Sequence, residues 1–287
     1  MQNHSQSLIL AGLAILAWSF IPVVARFGQD GMDSYQFLFW SNLLSSVVIV
    51  ICVIAFGKWP RGIMYTARDI AHASLLGFLG CCFYYLCLYY GYAHGNGLEV
   101  LVFQYTWPLL IVLLSLWLLK EKLTLQKAAA VLLGFAGVMV VITRGRLEAL
   151  PLEAIGVDLI VLIGAFSFAL FSVLAKRFKR DPVSSVLFYF LSATVASAVV
   201  MLVFSTPALP PQSTLLSVIV NGALINGVSY LLWIKALSLS EASRIAPLVF
   251  FTPVLSAVLI VLVFGEPFLA VYVVGLVLVI GAGLLTR

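Results

Sequence analysis

Apolar and polar positions divide the chain into ten apolar runs separated by short polar breaks. The runs cover roughly 8–27, 33–56, 70–93, 98–119, 125–143, 156–175, 183–204, 215–237, 245–264 and 268–286. Each is long enough for the about 20 residues of α-helix that cross a hydrocarbon core. Within a run the apolar positions are continuous rather than alternating, which argues for helices and against a β-barrel. The breaks are short, so neighbouring helices are antiparallel. The start, Met1 to Ser7, is polar, with no basic segment and no small-residue cleavage site. It reads as a short tail before a retained first helix.

Composition removes the soluble alternative. Of 287 residues, 63% are hydrophobic and only 9% are charged, too few charges to cover a soluble surface. The expected fold is an all-α polytopic membrane protein with no soluble domain of any size. Charge then orients it. Of the 16 Lys and Arg residues, only Arg26, Arg144 and Arg146 fall on one side of the alternating helices. The rest lie on the side of the chain ends, which the positive-inside rule makes cytoplasmic. The net charge of +5 therefore reflects topology. The basic residues form no stripe, so nucleic acid is not an expected partner.

Two of the runs share a grammar. LVFQYTWPLLIVLLSLWLLKEK and IAPLVFFTPVLSAVLIVLVFGEP each hold an internal proline and end in glutamate. A shift of 145 residues lays Tyr85 on Tyr230, Pro108 on Pro253 and Glu121 on Glu266. Trp18-Ser19-Phe20 matches Phe166-Ser167-Phe168 more loosely, at a shift of 148. The chain thus reads as two five-helix repeats, 1–146 and 147–287. Five is odd, so the second copy crosses the membrane in the opposite sense. Inverted repeats mark many secondary transporters, with the substrate site near the midplane between the halves.

These features together resemble the EamA-like families of the drug/metabolite transporter superfamily. The resemblance covers essentially the whole chain. It implies ten helices and one midplane cavity built by helices 1, 3 and 4 of the first copy and 6, 8 and 9 of the second. It also implies export of small metabolites across a bacterial inner membrane. The aromatic content is similar to that of the aromatic amino acid exporters. Sugars and drug-like solutes are the alternative cargo, and a non-transporting scaffold or receptor the alternative class. The small multidrug relatives carry a glutamate in the first helix. The corresponding stretch here, LILAGLAILAWSFIPVVARF, has no acid, which disfavours proton-coupled export of lipophilic cations.

The residues give their own reading. Pro108 and Pro253 lie mid-helix, where each removes an N–H and clashes with the carbonyl four residues back, at Gln104 and Val249. Those carbonyls either face a polar cavity and a gating hinge or belong to static kinks that aid packing. Glu121 and Glu266 mark helix ends and are expected to fix the two tight connections, since a carboxylate suits the start of the next helix. No span has an ionisable residue near its centre, the usual sign of ion coupling. Glu99, Asp158, Lys235, His72 and His94 all lie toward ends.

The midplane instead holds aromatics and amides. Trp18, Tyr85, Tyr89, Gln104, Tyr105, Trp107, Asn226, Tyr230 and Phe251 are the expected lining of a substrate site. Their polar atoms need partners at depth, either a ligand or neighbouring helices. Tyr85 and Tyr89 are four apart and share a face, as do Asn226 and Tyr230. Trp40, Trp59 and Tyr92 are expected in the interfacial belts. Such a cavity suits a neutral or zwitterionic solute with an apolar body. There is no G-x-S-x-G, no H-E-x-x-H and no His at depth to activate a nucleophile, so an enzyme is not expected. Cys52, Cys81, Cys82 and Cys87 lack metal-ligand spacing and read as small core residues. No metal and no cofactor is expected. The expected partners are a small-molecule substrate and the lipid bilayer. Gly134, Gly137, Gly275, Gly281 and Gly283 permit close packing on helices 5 and 10, where a homodimer contact has a place.

Overall fold

The computed structural model describes residues 2–59, 65–95, 97–146, 155–178, 180–265 and 268–285. Each of the ten apolar runs yields a helix. Among the described residues nine are long and apolar enough to cross a membrane: α1 (His4–Gly28), α2 (Ser34–Ala55), α3 (Ala67–Tyr92), α4 (Val100–Leu118), α5 (Leu125–Ile142), α6 (Ile155–Arg177), α7 (Pro182–Phe204), α8 (Gln212–Leu239) and α9 (Ala242–Phe264). A shorter apolar helix, α10 (Val271–Leu285), completes the set. Short polar caps set the starts. The Asp33 carboxylate accepts from the Tyr35 and Gln36 N–H groups, Asp181 does the same for Val183 and Ser184, and Thr124 caps α5. These bonds satisfy donors that no helical carbonyl reaches. Residues 147–154, at the join of the two halves, and Glu266 with Pro267 lie outside the described residues.

The helix pairs show how the halves meet. α1 packs on α8, α3 on α6, α2 on α7, α4 on α9, and α5 on α10. Exchanging each helix for the one five places along returns the same set. Two inverted five-helix halves produce this pairing. Burial corrects one register, however. At a shift of 148 the buried Trp18 would fall on Phe166, which is 44% exposed on the lipid side. At a shift of 150 it falls on buried Phe168, Ala11 falls on buried Val161, and Arg26 falls on Lys176. The Trp-Ser-Phe likeness is a local coincidence, because similar apolar triplets recur in such sequences. The buried stripe is set by packing and cannot slip.

Four of the central helices are irregular at paired places. α3 widens into a π-helical segment at Phe78–Phe83, and α8 does so at Val220–Val228. Carbonyls there take side-chain donors from other helices. Ser167 Oγ donates to the Leu79 carbonyl at 2.9 Å, Asn42 Nδ2 to Cys81 at 3.3 Å, and Ser45 Oγ to Gly222 at 2.8 Å. Lipid chains offer no such donors. α4 breaks between Gln104 and Trp107, just before Pro108. α9 passes through a 3-10 stretch, Ala246–Phe250, just before Pro253.

Glycines let the backbones approach. A Cβ on Gly77 of α3 would lie 2.2 Å from the Tyr189 carbonyl oxygen of α7. Gly137 and Gly275 face each other across α5 and α10, where a Cβ on either would lie 3.0 Å from the other's carbonyl. The glycine faces of these helices are therefore spent within the chain. Gly77→Leu is expected to prevent native packing, since overpacking alone costs about 1–3 kcal/mol and here the obstacle is backbone. Size-exclusion chromatography in detergent should show loss of the monodisperse species. A monodisperse, heat-stable variant would contradict the close approach of α3 and α7.

Candidate functional site

A cavity of about 460 Å³ lies between the halves, within the usual range for small-molecule sites. α1, α2, α3, α4, α5, α8, α9 and α10 all contribute to its wall. Its mouth is framed by Gln29, Ser34, Arg144 and Tyr272, which belong to the face opposite the chain ends. Tyr92 also stands on the mouth side, and the other walls come from residues that include Phe37, Tyr89, Tyr105, Pro253 and Ser256. Among the described residues, the lining includes no Asp, Glu, Lys or His. Arg144 is held at φ +52°, a left-handed conformation uncommon for a residue with a side chain.

Below this cavity is a pouch of about 40 Å³, room for a water or a small substituent. Ile21, Tyr85, Gln104 and Tyr105 line both spaces and form the boundary between them. Trp18, Tyr84, Trp107, Phe168, Tyr230, Val249 and Thr252 close the pouch. The rings support one another edge to face. Trp18 meets Trp107 at 6.2 Å and Tyr230 at 6.0 Å between centroids, and Trp107 meets Phe168 at 4.8 Å. Trp233 backs them, 5.3 Å from Trp18, with its indole N–H given to Ser172 Oγ at 3.3 Å. Such contacts favour one ring arrangement over others.

Two hydrogen-bond chains orient the polar atoms. Tyr92 OH donates to Gln104 Oε1 at 3.1 Å, and Gln104 Nε2 donates to Tyr84 OH at 3.0 Å. Tyr85 OH donates to Asn226 Oδ1 at 3.3 Å and lies 3.4 Å from Tyr230 OH, which is also 3.4 Å from the Gly80 carbonyl. The buried Thr252 Oγ1 has no partner in the structure.

Seven of the nine expected lining residues therefore reach the cavity or pouch: Trp18, Tyr85, Tyr89, Gln104, Tyr105, Trp107 and Tyr230. Two do not. Asn226 lies behind Tyr85 as its acceptor, so it holds a wall residue in place and does not line the space. Phe251 faces a separate apolar groove beside Leu8, Gly12 and Gly283, because the glycine of α10 leaves room for its ring. Tyr92, expected in an interfacial belt, lines the cavity and binds Gln104. Phe168 and Asn221 also line these spaces without having been singled out. The sequence signal for Phe168 was its place on Trp18 at the corrected shift.

The prolines differ. Pro253 lines the cavity, whereas Pro108 is buried in packing. With no N–H at Pro253, the Phe251 N–H turns to the Leu248 and Val249 carbonyls instead. Glu121 serves a different helix end from the one expected. Thr124 caps the following α5, and the Glu121 carboxylate reaches the start of α9.

Comparison with known proteins identifies the architecture. A model of the EamA-like transporter family matches the chain twice, over residues 5–143 and 155–287. The chain belongs to the EamA-like transporter family. It is a multi-pass membrane protein, and its named relatives are transporters. It is 23% identical over 261 residues to an uncharacterised transporter of Archaeoglobus fulgidus, covering 89% of this chain and 88% of that one. It is 26% identical over 259 residues to an S-adenosylmethionine uptake transporter of Rickettsia prowazekii, covering 88% and 83%. It is 30% identical over 185 residues to the aromatic amino acid exporter YddG of Ancylobacter novellus, covering 63% and 64%. A crystal structure superposes over 99% of this chain and 98% of its own, with a TM-score of 0.87 at 21% identity, which shows a shared fold.

Proposed function

We propose that this family member exports small amphiphilic metabolites, foremost amino acids with aromatic or neutral side chains, across a bacterial inner membrane by alternating access. The observation that carries the reading is the cavity itself: aromatic and amide walls, with the cation Arg144 among the described residues at the mouth. A zwitterion with an apolar body fits that pattern. Its carboxylate would face Arg144, its ring the tyrosines, and its ammonium Gln104 Oε1 and the unpartnered Thr252 Oγ1. With both chain ends cytoplasmic, the orientation that the distribution of basic residues supports, the cavity opens outward. The test is flux of labelled tryptophan, phenylalanine and leucine in proteoliposomes. Absence of flux and of any thermal shift for all three would reject the cargo.

The same rings favour one other solute. A sulfonium or other soft cation is held well by aromatic faces without a carboxylate, and Trp18, Trp107 and Tyr230 wall the pouch. The relatives named for S-adenosylmethionine uptake make that compound the second solute for the flux assay.

Two predictions follow from the placement of charge. Among the described residues no acid or lysine lines the cavity, so solute-driven flux should survive a protonophore. Accumulation driven by a pH gradient alone would contradict this. Cysteines replacing Gln6 and Gln212, in a background without the native four, should react with an impermeant reagent from opposite sides of the membrane. Labelling from one side would contradict the inverted halves.

A further inference from the structure

Among the described residues no cavity opens on the face that carries the chain ends, and charged contacts join the two halves there. Lys58 meets Asp181 at 3.2 Å, Arg180 meets Asp69 at 2.6 Å, and Lys127 meets Glu241 at 2.9 Å. Each pairs a residue of the first half with one of the second. All three have at least one well-exposed partner, and such pairs contribute little. The fourth contact is of another kind. Glu121, at the end of α4, is only 7% exposed along its side chain. Its Oε1 accepts from the Ala242 N–H at 2.9 Å, and its Oε2 accepts from the Ser243 N–H at 3.0 Å and from Ser243 Oγ. Lys176 Nζ of α6 stands 3.7 Å away and donates to the Leu237 and Ser240 carbonyls at the end of α8.

One carboxylate thus gathers α4, α6, α8 and α9, and it occupies the positive N-terminal end of α9, where anions are most stabilised. α4 is shaped for it. Lys120 takes a left-handed φ of +56°, and the Glu121 N–H returns to the Ser115 carbonyl at 3.2 Å, which turns the side chain off its own helix toward α9. Burial pushes the Glu121 carboxyl up, but the hydrogen bonds from Ser243 and Ala242 and the Lys176 ammonium outweigh it, and the net displacement is downward. The group is therefore an anion when it binds. Between this contact and the pouch lies an apolar layer that includes Ile111, Ala236, Leu237 and Ile245, all 0% exposed.

We propose that Glu121 is the latch that keeps the chain-terminal face shut, and that its release from the start of α9 is the step that opens the cavity to that face. This rests on the alternating-access reading for its purpose, but its test needs no substrate. Spin labels on cysteines replacing Leu123 and Ser238 report the latched face. Labels replacing Arg146 and Leu209 report the other. Both pairs join the two halves and are placed in a background without native cysteines.

In the parent protein the first pair should give one narrow distance distribution. Glu121→Gln removes the charge and one acceptor while keeping the shape. It should raise the ratio of latched-face-open to closed molecules at least tenfold, and the second pair should shorten in the same molecules. Unchanged distributions at both faces would overturn the proposal. Widening at both faces together would overturn it too, because that is loosening and not exchange. If Glu121→Gln does not fold, Ser243→Ala removes the hydroxyl donor alone and should shift the ratio in the same direction by a smaller factor. A shift in distances with no flux of any solute would leave the latch standing and reject the cargo.

Discussion

Replacing Gln104 with Leu is expected to weaken binding of an aromatic amino acid by about one to two decades while the protein still folds. Gln104 borders both the cavity and the pouch, and its amide joins Tyr92 to Tyr84. Leucine has nearly the same volume, so the packing survives. It offers no acceptor to Tyr92 OH and no donor to Tyr84 OH, and nothing to an incoming ammonium. A buried polar group left without its partner costs about 1–3 kcal/mol, and each 1.4 kcal/mol is about a factor of ten in affinity. Tyr92→Phe deletes one of these bonds at the mouth side and should cost less. Trp40→Ala is the control, since that indole donates to the Ala208 carbonyl at 2.9 Å, away from the cavity. Titration by isothermal calorimetry or thermal shift orders the three. Full affinity in Gln104→Leu together with a loss in Trp40→Ala would place the site elsewhere.

The sequence made the helices, their number and the paired prolines legible because these depend on hydrophobic run length and on single residues with strong backbone effects. Which way a side chain points within a run was less legible. Asn226 and Tyr230 do share a face, as their spacing requires, and both reach Tyr85. Their spacing could not tell that Tyr85 stands between Asn226 and the open space. The π-helical segments add a further uncertainty. Each changes the angle per residue in the middle of α3 and α8, so faces inferred on one side do not extend to the other. No local composition marks them, because the donors that satisfy them, Ser167, Asn42 and Ser45, come from other helices. Tyr92 ends α3 and is 45% exposed, as an interfacial residue is, and it lines the cavity as well. Depth along the helix is legible from its place near the end of the run; its contact with Gln104 depends on the position of α4.

Restoring an N–H at either proline is expected to slow transport, but the two variants should differ in binding. In α9 the 3-10 stretch ends at Phe250, and the Val249 carbonyl is met from Phe251. Pro253→Ala would supply the missing N–H to Val249 and favour a continuous α-helix. A proline in a helix interior costs about 3 kcal/mol, which bounds the gain of the straight form. If the bend must change during the cycle, a tenth to a hundredth of the parental turnover corresponds to about 1.4–2.8 kcal/mol of that gain. Pro253 also lines the cavity, so its replacement should alter affinity as well. Pro108 is buried and lines neither space. Pro108→Ala should therefore leave equilibrium binding at the open face near the parental value and reduce only turnover. Exchange rates in proteoliposomes beside equilibrium titration separate the two effects. If both variants turn over at the parental rate, the breaks before Trp107 and Phe251 are static features of packing, and the motion that moves the cavity between faces must occur at the π-helical segments.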